Sequence, residues 1–177
     1  LAAFNYSTGA TPVFPINVLA KRALNIEFEK IASISNTPGF MDASIPAGNI
    51  YGTADEVSRF YQMMLDGGTF NGNQVFEENT IKLATRPAGP LTIDQTLMIP
   101  IRFSTGFMLG ENVFSLFGIK ARKAYGHLGL INIVTWADPS RDISVAFLNT
   151  GKSLDPRSLP ALGKVLISVS SNCSVLK

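Results

Sequence analysis

Cysteine and histidine are nearly missing from this 177-residue chain. The single cysteine, Cys173, excludes an intrachain disulfide. The single histidine, His127, leaves no ligand set for a His/Cys zinc site within one chain. Neither a metal nor a cofactor is expected. A surplus of one charge is also lacking: 15 Lys+Arg face 13 Asp+Glu, giving +2, and no polybasic run occurs. Nucleic acid is therefore not an expected partner. No apolar run reaches the roughly 18–20 residues of a membrane span. Leu1-Ala2-Ala3-Phe4-Asn5 has no charged segment leading into an apolar stretch, so it does not read as a signal peptide. The compartment stays open. The chain opens on leucine, and the expectation is a processed or truncated piece of something longer.

Hydrophobic residues make up 46% of the chain, enough for a packed core. At this length a domain buries roughly 70% of its unfolded surface, and residues 1–177 read as one domain. Residues 1–15 read as a loop. Ile16 to Ile31 carries a helical spacing of Ile16, Leu19, Ala20, Ala23, Leu24 and Phe28. Residues 33–52 are rich in Ser, Pro, Gly and Asn and read as a long connection. Thr53 with Glu56 three residues on forms a capping box. The stripe Val57, Phe60, Tyr61, Met64 then predicts a helix over 54–66, ended by Gly67-Gly68. A shorter helix is predicted over 77–85.

After residue 100 the apolar period shortens toward two. Strands are predicted over 102–110 and 112–119, over 130–137, and over 143–148. The turn Asp138-Pro139-Ser140-Arg141-Asp142 makes the last two a hairpin. Asp155-Pro156 opens a final helix with the stripe Leu159, Leu162, Val165, Leu166, Val169. The predicted class is α+β: three or four antiparallel strands flanked by helices, the terminal helix packing back on the sheet. The first 50 or so residues are expected to add little to that sheet.

Tyr125-Gly126-His127-Leu128-Gly129-Leu130 is the one segment with chemical promise. It places His127 at the start of a strand, between glycines that let the backbone approach a ligand. A free strand-edge N–H near an imidazole forms half of an oxyanion hole. A lone histidine at a strand start is more often a structural or surface residue.

Several pieces, in order, carry a resemblance. Ile45-Pro46-Ala47-Gly48-Asn49 is followed by Tyr51-Gly52-Thr53-Ala54-Asp55-Glu56-Val57-Ser58-Arg59-Phe60-Tyr61. Then come Leu65-Asp66-Gly67-Gly68, Gly72-Asn73-Gln74-Val75-Phe76, Phe103-Ser104-Thr105-Gly106-Phe107 and Gly126-His127-Leu128-Gly129. Ala137-Asp138-Pro139, Asn149 and Asp155-Pro156-Arg157 complete the series. From Ile45 to Asn149 the chain resembles the C-terminal portion of the serine β-lactamase and penicillin-binding-protein superfamily, in its esterase-like, class C-related branch. The resemblance implies acyl transfer through a serine ester, on a small ester or amide substrate. It implies that His127 is the cation or hydrogen-bond donor of the third active-site motif, that Gly129 keeps that wall open, and that the Leu130 N–H is an oxyanion donor.

The same resemblance makes the departures informative. The family's S-x-x-K comes early, on a helix this chain does not contain. The one S-x-x-K here is Ser174-Val175-Leu176-Lys177, at the very end, and it reads as coincidence. Tyr6-Ser7-Thr8 looks like the family's tyrosine motif, but the stretch from Tyr6 to Ala47 is short for the intervening helices. Ile131-Asn132-Ile133 replaces the small residues that often follow the third motif. The expectation is a serine hydrolase whose nucleophile lies in an N-terminal half outside this chain, the isolated chain being inactive. The alternative is a catalytically inactive ligand-binding module or assembly protein of the same fold. Asp138 reads as a turn residue, Trp136 as core, Asp55 and Glu56 as capping residues, and Lys120, Arg122 and Lys123 as a solvated basic turn. Cys173 reads as incidental, and the five methionines as gap-fillers.

Overall fold

The computed structural model describes residues 6–7, 18, 21–22, 28–46, 48–95, 97–113, 115–129, 133–152 and 158–176. Among these, the order is β1 (Tyr6–Ser7), α1 (Phe28–Ser35), α2 (Pro38–Asp42), α3 (Ala54–Leu65), β2 (Thr69–Phe70), β3 (Asn73–Gln74) and α4 (Glu78–Thr85). There follow β4 (Thr92–Ile93), β5 (Pro100–Phe103), β6 (Met108–Leu109), β7 (Tyr125–Gly129), β8 (Ile133–Asp138), β9 (Ile143–Phe147), β10 (Gly151–Lys152) and α5 (Ser158–Asn172). Strands β4 to β9 form one six-stranded sheet in chain order, antiparallel throughout. The expected α+β class, an antiparallel sheet flanked by helices, holds.

Strand alternation sorts the sheet into two faces. One carries Met108, Val134 and Trp136, which pack with Phe117 and with Leu166 of α5. The Phe117 ring stacks on Trp136 at 5.9 Å between centroids. The other carries Tyr125 and Ala137, covered by Tyr61 and Met64 of α3 and Ile81 of α4. Helix α3 forms where the capping box stands: Glu56 N–H donates to Thr53 Oγ1 at 3.2 Å, and Thr53 N–H donates to Glu56 Oε2 at 2.7 Å. The loop before it is tied by Asn49, whose Oδ1 accepts from Ile45 N–H and whose Nδ2 donates to the Phe40 and Ala43 carbonyls.

Arg141 knots the fold's far end. It lies in the four residues between β8 and β9 and is buried, as is Asp138. Its Nη1 donates to Asp138 Oδ2 at 2.5 Å and to the Lys120 carbonyl at 3.1 Å. Its Nη2 donates to the carbonyls of Ile119 (3.0 Å) and Ser170 (3.2 Å), and Nε donates to Cys173 at 2.9 Å. All five guanidinium N–H groups are thereby used. Gly118 makes the approach possible: it has φ +102°, and a Cβ there would sit 2.2 Å from Ser170 Oγ.

Several expectations need correction. Residues 112–113 and 115–119 form turns, bends and irregular chain, not a strand, because they must wrap Phe117 under Trp136. The first helix runs past Ile31 to Ser35, and the supposed connection over 33–52 contains α2, capped by Thr37. Residues 16–17, 19–20 and 23–27 lie outside the described residues, as does the Asp155-Pro156 opening of α5. The sheet has six strands instead of three or four; as expected, none of its strands comes from the first 50 residues, whose β1 pairs in parallel with β10 in a separate two-stranded sheet. In α3 the inward face rotates: Met63 is buried, whereas Phe60 is exposed and meets Tyr61 edge-on at 5.5 Å. Val165 of α5 is likewise exposed.

Removing one member of a buried ion pair leaves the other charge uncompensated, at a cost of about 3–5 kcal/mol. Arg141→Met is expected to lower the unfolding free energy in urea by about that amount. A loss below about 1 kcal/mol, the value of an exposed pair, would contradict this role.

Candidate active site

His127 lies in the middle of β7, not at the start of a strand as the apolar run 130–137 suggests. Strand β7 ends at Gly129 and β8 begins only at Ile133, so β8 takes only the later part of that apolar run. His127 shares a face with Tyr125 and Gly129, and its register partners are Thr135 on β8 and, beyond it, Ala146 on β9. Helix α3 covers this face at Tyr125 and Ala137. Two residues further on the cover ends, and His127 and Gly129 are exposed. Leu130 lies outside the described residues.

The imidazole Nδ1 lies 2.6 Å from the Leu128 carbonyl oxygen. A carbonyl only accepts, so Nδ1 carries the proton and donates. In the neutral ring Nε2 then holds the lone pair. Nε2 can accept a proton, or donate once protonated, which suits a group that steadies a reacting oxygen.

Gly126 sets the spacing of β7 and β8. A Cβ there would stand 2.1 Å from the Thr135 carbonyl oxygen and 2.5 Å from Trp136 Cβ. Strands β7 and β8 are thus pressed together directly beside His127. At Gly129 a Cβ would meet the Ile133 side chain at 2.9 Å. On the face of β8 that His127 shares, the Tyr61 hydroxyl and Thr135 Oγ1 are hydrogen-bonded at 3.0 Å. Burial raises the Tyr61 hydroxyl above its ordinary value, partly offset by this bond. Burial, with Tyr61 beside it, pushes Tyr125 up to about 12. Both phenols are therefore neutral at neutral pH.

The registers also locate the other candidate residues. Gly129 pairs with Ile133, and Val134 with Phe147, so β7 ends, β8 starts and β9 ends at one edge of the sheet. The four-residue step from Phe147 to Gly151 spans at most about 14 Å. Tyr6 pairs with Gly151, so the backbone of Tyr6–Ser7 comes to the His127 end. Ser174 is at the opposite end. The Cys173 carbonyl is held by Arg141, and Leu176 N–H donates to the Ser140 carbonyl at 2.8 Å. Strand rise puts Asp138 about 10 Å along from Thr135, with Ser140 beyond it. Ser174 and His127 are not brought together. Among the described residues, no three His, Cys, Asp or Glu cluster as metal ligands, and no helix is long and apolar enough to cross a membrane.

An antiparallel sheet between a terminal helix and an α3-like helix, with an exposed H-x-G strand at its centre, defines a β-lactamase/transpeptidase-like fold. The family model described as Beta-lactamase matches residues 3–165, and the chain belongs to that family. Its relatives include Esterase/beta-lactamase LipL of Mycobacterium tuberculosis, 27% identical over 121 residues, covering 67% of this chain and 26% of that protein. N-acetylmuramyl-L-alanine amidase of Bacillus subtilis is 27% identical over 124 residues, covering 68% and 26%. The match thus spans about a quarter of these curated relatives. A solved family VIII carboxylesterase superposes with TM-score 0.61 at 23% identity, covering 81% of this chain and 37% of that one. EstA from Arthrobacter nitroguajacolicus Rue61a gives 0.64 at 18%, covering 94% and 46%, and shows the shared fold.

Residue reading alone did not find Gly126's close approach or the Tyr61–Thr135 bond. The apolar stripe of α3 marked Tyr61 as buried, but its partner is 74 residues away in sequence.

The raised Tyr125 value gives a pH expectation. The unfolded phenol titrates near its ordinary 10.0 and the folded one near 12. Its contribution to stability is complete below the unfolded value and is lost as pH rises from 10 to 12. Urea midpoints measured across that window should fall less steeply in Tyr125→Phe than in the parent protein. Equal slopes would contradict the burial argument.

Proposed function

We propose that these residues form the sheet-bearing part of an acyl-serine hydrolase acting on small ester or amide substrates. His127, Leu128 and Gly129 would line one wall of the cleft, with the Leu130 N–H receiving the oxyanion. The observation that carries the reading is an exposed H-x-G segment at the centre of the sheet of a Beta-lactamase family member. In the reaction, a serine oxygen adds to the substrate carbonyl, the alcohol or amine departs with a proton, and water releases the acid. The protonated His127 would hold the substrate carboxylate or the departing group by charge-assisted donation from Nε2. We place the nucleophile in polypeptide outside residues 1–177, because Ser174 stands at the wrong end of the sheet. The backbone position of Tyr6 makes it the candidate for the family's proton-shuttling tyrosine.

The test is hydrolysis of p-nitrophenyl butyrate by the full-length protein. His127→Ala is expected to lower kcat/KM about 10²-fold, the usual worth of one positioned acid–base or oxyanion group. A fluorophosphonate should label a serine outside this chain. Label on Ser174, or turnover indifferent to His127→Ala, would overturn the reading. Ligand binding with neither turnover nor labelling would instead support the inactive module.

A further inference from the structure

The best-built polar contact near His127 is one the proposed chemistry does not use. Tyr61 is 5% exposed and sits on α3, packed among Met64, Ile81, Tyr125 and Ala137. Its ring lies 6.5 Å from that of Tyr125 and 6.2 Å from that of Phe107. Its hydroxyl leaves this apolar group to reach Thr135 Oγ1 at 3.0 Å. Thr135 is the register partner of His127. Directly opposed side chains on one face of an antiparallel pair have Cβ atoms about 4.5–5.5 Å apart. The residue before His127, Gly126, clamps the two strands from the opposite side. Strand β8 is therefore fixed to α3 at Thr135, β7 is fixed to β8 at Gly126, and His127 rides on both fixings.

We propose that Tyr61 is a positioning residue for His127, acting through the Thr135 hydroxyl. The inference rests on the reading that His127 lines the catalytic wall. With the bond present, the Thr135 side chain has one rotamer, and the imidazole packs beside a fixed neighbour. Without it, Thr135 turns, and the imidazole samples orientations that do not meet the substrate. A ring shifted by a fraction of an ångström costs the transition state more than the ground state. The loss should therefore fall on kcat.

The experiment uses the full-length protein and p-nitrophenyl butyrate. Tyr61→Phe keeps the ring and its packing and removes only the hydroxyl. It is expected to lower kcat about ten-fold, with KM changed by less than about two-fold. Thr135→Val should do the same, the double variant should be no slower than either single one, and Thr135→Ser should restore kcat. The ring-nitrogen NMR signals of His127 should move in Tyr61→Phe. If Tyr61→Phe and Thr135→Val lower the melting temperature but leave kcat and those signals unchanged, the bond is only structural and the inference fails. Losses that multiply in the double variant would overturn it too. His127→Ala separates the two levels. If it leaves kcat intact, the wall reading falls and takes this inference with it. If it lowers kcat while Tyr61→Phe does not, this inference alone is wrong.

Discussion

The buried guanidinium of Arg141 is the interaction on which the described structure depends. It gathers the β8–β9 hairpin through Asp138, the 118–120 turn through two carbonyls, and the end of α5 through two more. Three segments distant in sequence share one side chain. A charge taken out of water is tolerated only when its donors are all met, and here they are. The consequence reaches the far end of the sheet. With hairpin and helix locked together, Trp136 and Val134 bury against α5, and β8 becomes a rigid rail. Strand β7 is pressed on that rail at Gly126, and His127 stands on β7. Tyr61 holds the rail from the other face.

Local rules made much of this legible. The capping box of Thr53 and Glu56, the Gly67-Gly68 stop, the hairpin through Asp138-Pro139 and the buried Trp136 all follow from short-range chemistry. The errors share a cause. Residues 112–119 alternate like a strand, but Phe117 is needed beneath Trp136, and tertiary packing overrides the period. The apolar run 130–137 looks continuous, although β8 begins only at Ile133. Met63 replaces Phe60 inside α3 because the sheet, and not the helix alone, decides which side faces in.

The site divides along the same line. His127 was visible as the only imidazole, flanked by glycines, in a motif order that resembles a known family. What holds it was not visible. Arg141 sits in a turn composition that gives no sign of burial. Tyr61 and Thr135 are 74 residues apart, and single-sequence spacing does not register such pairs. Ser174 illustrates the converse: its motif matches in letters, and the fold places it at the opposite end of the sheet from the histidine.

In the proposed function the H-x-G strand forms one wall of an acyl-serine site. The most direct measurement is a crystal structure of the full-length protein carrying a phosphonyl group on its reactive serine. The phosphonyl oxygen is expected within about 3 Å of the residue-130 N–H, with the His127 imidazole facing the adduct. An adduct out of hydrogen-bonding reach of both would contradict it.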